Sequence, residues 1–149
     1  MMIVKESKII YEEKRIKGIR SLKLTNPKSV YRFTTSIIGG NNSPTEYLIT
    51  VALSDDAKPV SYIIMGNSSE NEVSFSYTSI LRFVILSGYE DFITIHNHPN
   101  DSPKFSEEDI SSTLKLKKIA ETIGLNLIGD YLICNGKCIK NIKIKITIK

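Results

Sequence analysis

Both histidines of the chain stand two positions apart, in His96-Asn97-His98-Pro99. Residues two apart on an extended strand point the same way with Cα atoms roughly 7 Å apart, so both imidazoles can reach one ion. A carboxylate follows in Ser106-Glu107-Glu108-Asp109, after the polar, proline-bearing stretch Asn100 to Phe105. If that stretch folds back, Asp109 supplies a third ligand and leaves a fourth position open, which is the arrangement of catalytic rather than structural zinc. An open position lets zinc bind water and lower its pKa toward about 7, providing a nucleophile at neutral pH.

Each part has a plainer reading when taken alone. Ser106-x-x-Asp109 is a helix start, with a serine cap and acidic residues in the first turn. His-Asn-His alone fits a surface loop or a satisfied pair. The conjunction carries the argument, since average residue usage produces these four positions at this spacing in roughly one of several thousand chains of this length.

The pattern His-x-His, seven residues, Ser, two residues, Asp resembles that of the JAMM metallopeptidases, which carry a glutamate further upstream. Within that superfamily the segment His96 to Asp109 is most similar to the RadC-like JAB domain. The likeness extends back to Glu46-Tyr47-Leu48-Ile49-Thr50-Val51-Ala52-Leu53 and forward through Gly124 to Ile133. It implies a three-layer α/β/α domain of the cytidine-deaminase-like JAB type. It also implies Zn²⁺ held by His96, His98 and Asp109, Glu46 as general base, and Ser106 steadying an oxyanion. The implied reaction is metal-assisted hydrolysis of an amide, peptide or isopeptide bond. From the residues alone Glu46 does not stand apart from Glu70, Glu72 or Glu90; only the resemblance selects it. The chain departs from many members at Tyr77-Thr78, Phe105 and Tyr131, positions that bear on the surroundings of the ligands and on substrate choice.

These residues need elements to position them. Phe92 to His96 is short, apolar and β-rich, the pattern of a buried strand. Glu107 to Ile123 carries a helical apolar stripe closed by Gly124, and Leu125 to Cys134 is the next strand. Upstream, Tyr47 to Leu53 and Val60 to Met65 read as a hairpin, and Tyr77 to Leu86 as a helix ended by Gly88. Ser29 to Ile38 reads as a short helix after Asn26-Pro27, and Lys8 to Ile16 as a strand. The order predicts a mixed sheet flanked by helices.

Asn135-Gly136 predicts a two-residue hairpin turn that sets Cys134 opposite Lys137 and Cys138 opposite Ile133. Alternation then sends the two sulfurs to opposite faces, so both are read as reduced and structural. Isoleucines at 142, 144, 146 and 148 among the C-terminal lysines predict a lysine-guarded edge strand.

At 149 residues, 41% hydrophobic and 24% charged, residues 1–149 read as one domain with a motif-bearing core over about 29–139. The first residues lack a secretory signal, and no run approaches the roughly 18 apolar residues of a membrane span, so the expectation is a soluble cytoplasmic protein. A net charge of +4 is a mild bias. DNA as a partner rests only on the lysine-rich end, and a metal-binding interaction module without turnover is the other alternative. Nothing in the sequence specifies an oligomeric state or a particular substrate.

Overall fold

The computed structural model describes residues 1–16, 21–39, 45–66, 76–99 and 102–144. Its elements run α1 (Pro27–Ile38), β1 (Leu48–Leu53), β2 (Pro59–Met65), α2 (Tyr77–Ser87), β3 (Asp91–Asn97), α3 (Glu107–Thr122), β4 (Asn126–Cys134) and β5 (Lys137–Lys140). The strands form one sheet in the order β2-β1-β3-β4-β5. The β3 and β4 strands pair in parallel across α3, and the other pairs are antiparallel.

Local chemistry sets the ends of the elements. Asn26 caps α1 by accepting from the Ser29 amide at 3.0 Å, and Pro27 fits the first turn, where no amide proton is needed. The helix therefore begins two residues before the expected Ser29. A glycine in left-handed conformation follows α1 and α2, at Gly39 (φ 74°) and Gly88 (φ 79°). After α3 the Gly124 amide donates to the Glu121 carbonyl and the Leu125 amide to the Ala120 carbonyl, the double closure that turns the chain directly into β4. Asn135 and Gly136 both have positive φ, as the β4–β5 turn requires, and the cross-strand pairs are Cys134 with Lys137 and Ile133 with Cys138. Both cysteines are free thiols.

Helices cover both sides of the sheet, giving three layers. On one side Val30, Phe33 and Ile37 of α1 pack on Ile49, Val51 and Leu53 of β1, Ile93 and Ile95 of β3, and Tyr131 and Ile133 of β4. On the other, Ile80, Leu81 and Val84 of α2 and Leu116 and Ala120 of α3 pack on Leu48, Phe92 and Leu127. With a neighbour on each edge and helices on each face, β1 is buried throughout. Among the described residues no helix is long and apolar enough to cross a membrane.

One expected strand is not formed, and the other is not continued over the described residues 141–144. Lys8 to Ile16 does not enter the sheet. Instead the Tyr11 hydroxyl donates to the Leu86 carbonyl at 2.6 Å and the Lys14 ammonium to the Ile37 carbonyl at 3.0 Å. Those carbonyls lie in the last turns of α2 and α1, where donors and cations are favoured. The C-terminal edge strand stops at Lys140, because the buried Asn141 side chain turns inward to donate to Asp130 at 3.1 Å and accept from the Lys143 amide. Ile142 is then exposed and Ile144 buried, which alternation along one strand forbids. Residues 145–149, with Ile146 and Ile148, lie outside the described residues.

Candidate metal centre

The end of β3 delivers both imidazoles to one point. His96 is buried and His98 half-buried, with ring centroids 5.2 Å apart. Asp109 arrives from the first turn of α3, whose start is a complete capping box. Ser106 Oγ accepts from the Asp109 amide at 3.0 Å, and Asp109 Oδ2 accepts from the Ser106 amide at 2.9 Å. The same Oδ2 lies 3.0 Å from His98 Nε2 and 3.6 Å from His96 Nε2. One donor atom from each of the three side chains lies within 4.8 Å of the others, a spacing that can hold a metal ion.

The hydrogen-bond chemistry of these rings calls for a cation at that point. His98 Nδ1 is 2.9 Å from the Ser102 carbonyl, which can only accept, so Nδ1 carries the hydrogen and the neutral ring offers a bare Nε2 to Asp109. Two acceptors at 3.0 Å repel unless a proton or a metal ion sits between them. His96 Nε2 is buried with no hydrogen-bond partner among the described residues. An orphaned buried nitrogen beside a carboxylate is what a ligand set presents without its ion.

Charge around the site is balanced to match. Burial opposes a charged His96, but Asp109, Asp130 and Glu46 together outweigh it and hold the imidazole above its usual value of 6.5. Burial also resists ionisation of Asp109, yet His96 and the Ser106 amide overcome it and hold the carboxyl well below its usual range. Phe105 lies edge-on to His96, with centroids 5.5 Å apart. It forms one wall of the site.

Glu46 comes near through strand register. Leu48 pairs with His96 and opens β1, and Glu46, two residues before it, lies near enough for its charge to raise the proton affinity of His96. Asn97, between the histidines, fastens this stretch. Its Oδ1 accepts from the Tyr47 amide at 2.8 Å and its Nδ2 donates to the Thr45 carbonyl at 3.0 Å. Glu46 is thus held from both flanks and is half-buried. Ser106 is exposed at the start of α3.

The sequence reading missed Asn97 and Asp130. Asp130 is buried on β4 with one oxygen 3.8 Å from His96 Nδ1. A bulge puts it there: Phe92 pairs with Leu127 but Ile93 with Gly129, so the extra residue turns Asp130 toward α3 and Tyr131 to the opposite face. The available signal was a lone charged residue inside the apolar run Leu125 to Cys134. Tyr131, one of the departures from the family pattern, is therefore remote from the ligands. Tyr77 ties α2 to α3 by donating to the Ser112 carbonyl at 3.1 Å.

A mixed sheet covered on both faces, with two histidines ending a central strand and an aspartate opening the next helix, defines a JAB-type α/β domain. The family model for the RadC-like JAB domain matches residues 24–141, and the chain belongs to that family. It is similar to a UPF0758 protein of Carboxydothermus hydrogenoformans, 28% identical over 122 residues that cover 82% of this chain and 53% of the relative. A UPF0758 protein of Coprothermobacter proteolyticus is 25% identical over 117 residues, 77% of this chain and 50% of the relative. One from Clostridium kluyveri is 37% identical over a shorter stretch of 57 residues, 38% of this chain and 25% of the relative. The chain spans about half the length of the first two relatives.

Proposed function

We propose that the chain is a zinc-dependent metallohydrolase of the JAMM type, with His96, His98 and Asp109 as ligands, acting on an amide, peptide or isopeptide bond. The observation that carries this reading is the convergence of one ligand atom each from His96, His98 and Asp109 within 4.8 Å, a set of three that leaves a fourth position for chemistry. Zinc bound there would supply Lewis acidity toward the scissile carbonyl and a nucleophile drawn from water.

The protein's own groups account for the rest. Glu46, held from both sides by Asn97, accepts the proton of the attacking water and passes it to the leaving amine. Ser106 Oγ accepts from the Asp109 amide, which uses an oxygen lone pair and leaves the hydroxyl proton to donate to the oxyanion. Phe105 helps to exclude water behind His96.

Metal content, thermal melt and turnover on peptide and isopeptide libraries, measured on the same preparations, test the reading. Wild type carries close to one zinc per chain; His96→Ala, His98→Ala and Asp109→Ala lose it. Glu46→Gln keeps zinc and fold but loses about 10²- to 10⁴-fold in turnover, the usual worth of a positioned proton-transfer group. Metal-free wild type after refolding with zinc ends the metal assignment. A zinc-bound wild type that cleaves none of these amides reduces the site to a metal-binding interaction module.

A further inference from the structure

We propose that Asp130 is a positioning residue for this centre: its buried carboxylate fixes the His96 ring with the proton on Nδ1 and Nε2 turned to the metal. The inference rests on the zinc reading above and extends it to a residue outside the ligand set.

Asp130 sits at 1% exposure on β4, where an ionised carboxylate is expensive unless it is paired. Its oxygens are met from three elements. Thr94 of β3 donates to Oδ1 at 2.9 Å, while Thr113 of α3 and Asn141 beyond β5 each donate to Oδ2 at 3.1 Å. All three donors are neutral, so they orient the carboxylate without cancelling its charge. Among the described residues, the group able to carry positive charge that faces it is His96, with Nδ1 3.8 Å from Oδ1.

The three hydrogen bonds hold the carboxylate with Oδ1 3.8 Å from His96 Nδ1, an ion-pair distance rather than a direct hydrogen bond, and the β4 bulge brings Asp130 to that face. With Nδ1 facing an acceptor, Nε2 is the nitrogen left bare, and it is the one directed at Asp109. His98 Nδ1 has a closer acceptor, the Ser102 carbonyl at 2.9 Å. A ligand histidine whose far nitrogen bonds a carboxylate or carbonyl is held in one orientation and made a better donor to the metal, and removing such a partner typically weakens metal binding about 10- to 100-fold.

A purely structural Asp130, serving only to tie β4 to α3 and to the Asn141 turn, would affect melting but not metal affinity. The test is zinc affinity by competition with a chromophoric chelator, alongside melting of the metal-free protein. Asp130→Asn keeps the side-chain shape and should bind zinc about 10- to 100-fold more weakly. Thr113→Val removes one of the three ties while sparing the carboxylate charge; it should lower the melting temperature and weaken zinc binding less than Asp130→Asn does. If Asp130→Asn binds zinc as tightly as a zinc-binding wild type, Asp130 has no such role while the metal site stands. If wild type takes up no zinc, both ideas fall together. Should Asp130→Asn not fold, nitrogen NMR of ¹⁵N-histidine in metal-free wild type, at a pH where the ring is neutral, decides: a proton on Nδ1 of His96 supports the proposal, and a proton on Nε2 overturns it.

Discussion

The two faces of the sheet are built on different terms. Under α1 the strands present Ile49, Val51, Leu53, Ile93, Ile95, Tyr131 and Ile133, and this face gains its stability from area removed from water. Under α2 and α3 the same strands change character along their length. The β3 strand begins apolar at Phe92, then offers Thr94 opposite Asp130 and reaches His96 beside Asp109. Buried polar groups need partners, so the second face spends hydrogen bonds from Thr94, Thr113 and Asn141 to hold a carboxylate in place. One face tolerates any well-packed hydrocarbon; the other depends on donor identity and direction.

The sharpest way to break that contrast is to damage the apolar face and watch the polar one. Phe33 is 2% exposed and meets Tyr62 edge-on, with ring centroids 6.0 Å apart. Phe33→Ala should cost about 3–5 kcal/mol from lost burial and the cavity left behind. Chemical denaturation measures the loss, and zinc stoichiometry of the fraction that remains folded should be unchanged. Loss of zinc from folded Phe33→Ala would mean that the two faces are not independent.

How far the sequence made these faces legible follows from the range of the interactions. Asn26-Pro27, Gly88, Gly124 and Asn135-Gly136 are local signals, and each marks an element end in the structure. The spacing of His96, His98, Ser106 and Asp109 is also local, which is why the convergence at Asp109 could be anticipated. Glu46 is different: its place follows from the Leu48–His96 register and the Asn97 clamp, both long-range, so residue spacing alone could not choose it. Asp130 needed the bulge, since an uninterrupted β4 continuing from Leu127 would have turned it toward α1. Lys8 to Ile16 stays out of the sheet, and residues 141–144 leave the line of β5, because Tyr11, Lys14 and Asn141 found side-chain bonds that no periodicity reveals.

Acidity should sharpen the contrast, because titratable ligands lie on one face only. Burial resists a charged His96, but Asp109, Asp130 and Glu46 raise its proton affinity above the ordinary 6.5. In the metal-free protein this proton stabilises the fold fully below the unfolded value, and the contribution is lost as pH rises through the raised folded value. Zinc requires the same nitrogen bare, so its dependence has the opposite sign. Affinity should fall as pH drops, beginning above the ordinary histidine range, with protons released on binding. Calorimetry in buffers of different ionisation enthalpy counts those protons. A zinc affinity that is flat from pH 8 to pH 6 would remove His96 from the ligand set.

The smallest expected effect concerns Ser106, where helix start and chemistry share one hydroxyl. Its oxygen caps α3 by accepting from the Asp109 amide, but the reciprocal bond to Asp109 Oδ2 comes from the Ser106 backbone. Any replacement with a backbone amide keeps that half of the capping box, so zinc should stay. Ser106→Ala should cost about 1 kcal/mol of stability, and Ser106→Gly only a few tenths, since glycine is a tolerable cap. Both lack the hydroxyl proton, so if Ser106 donates to the oxyanion, both should lose turnover equally, by about 10²- to 10³-fold. Melting and turnover measured on the two variants therefore separate the roles. Turnover that follows the stability ranking, with Ser106→Gly close to wild type, would assign Ser106 to the helix alone and leave the oxyanion to other groups.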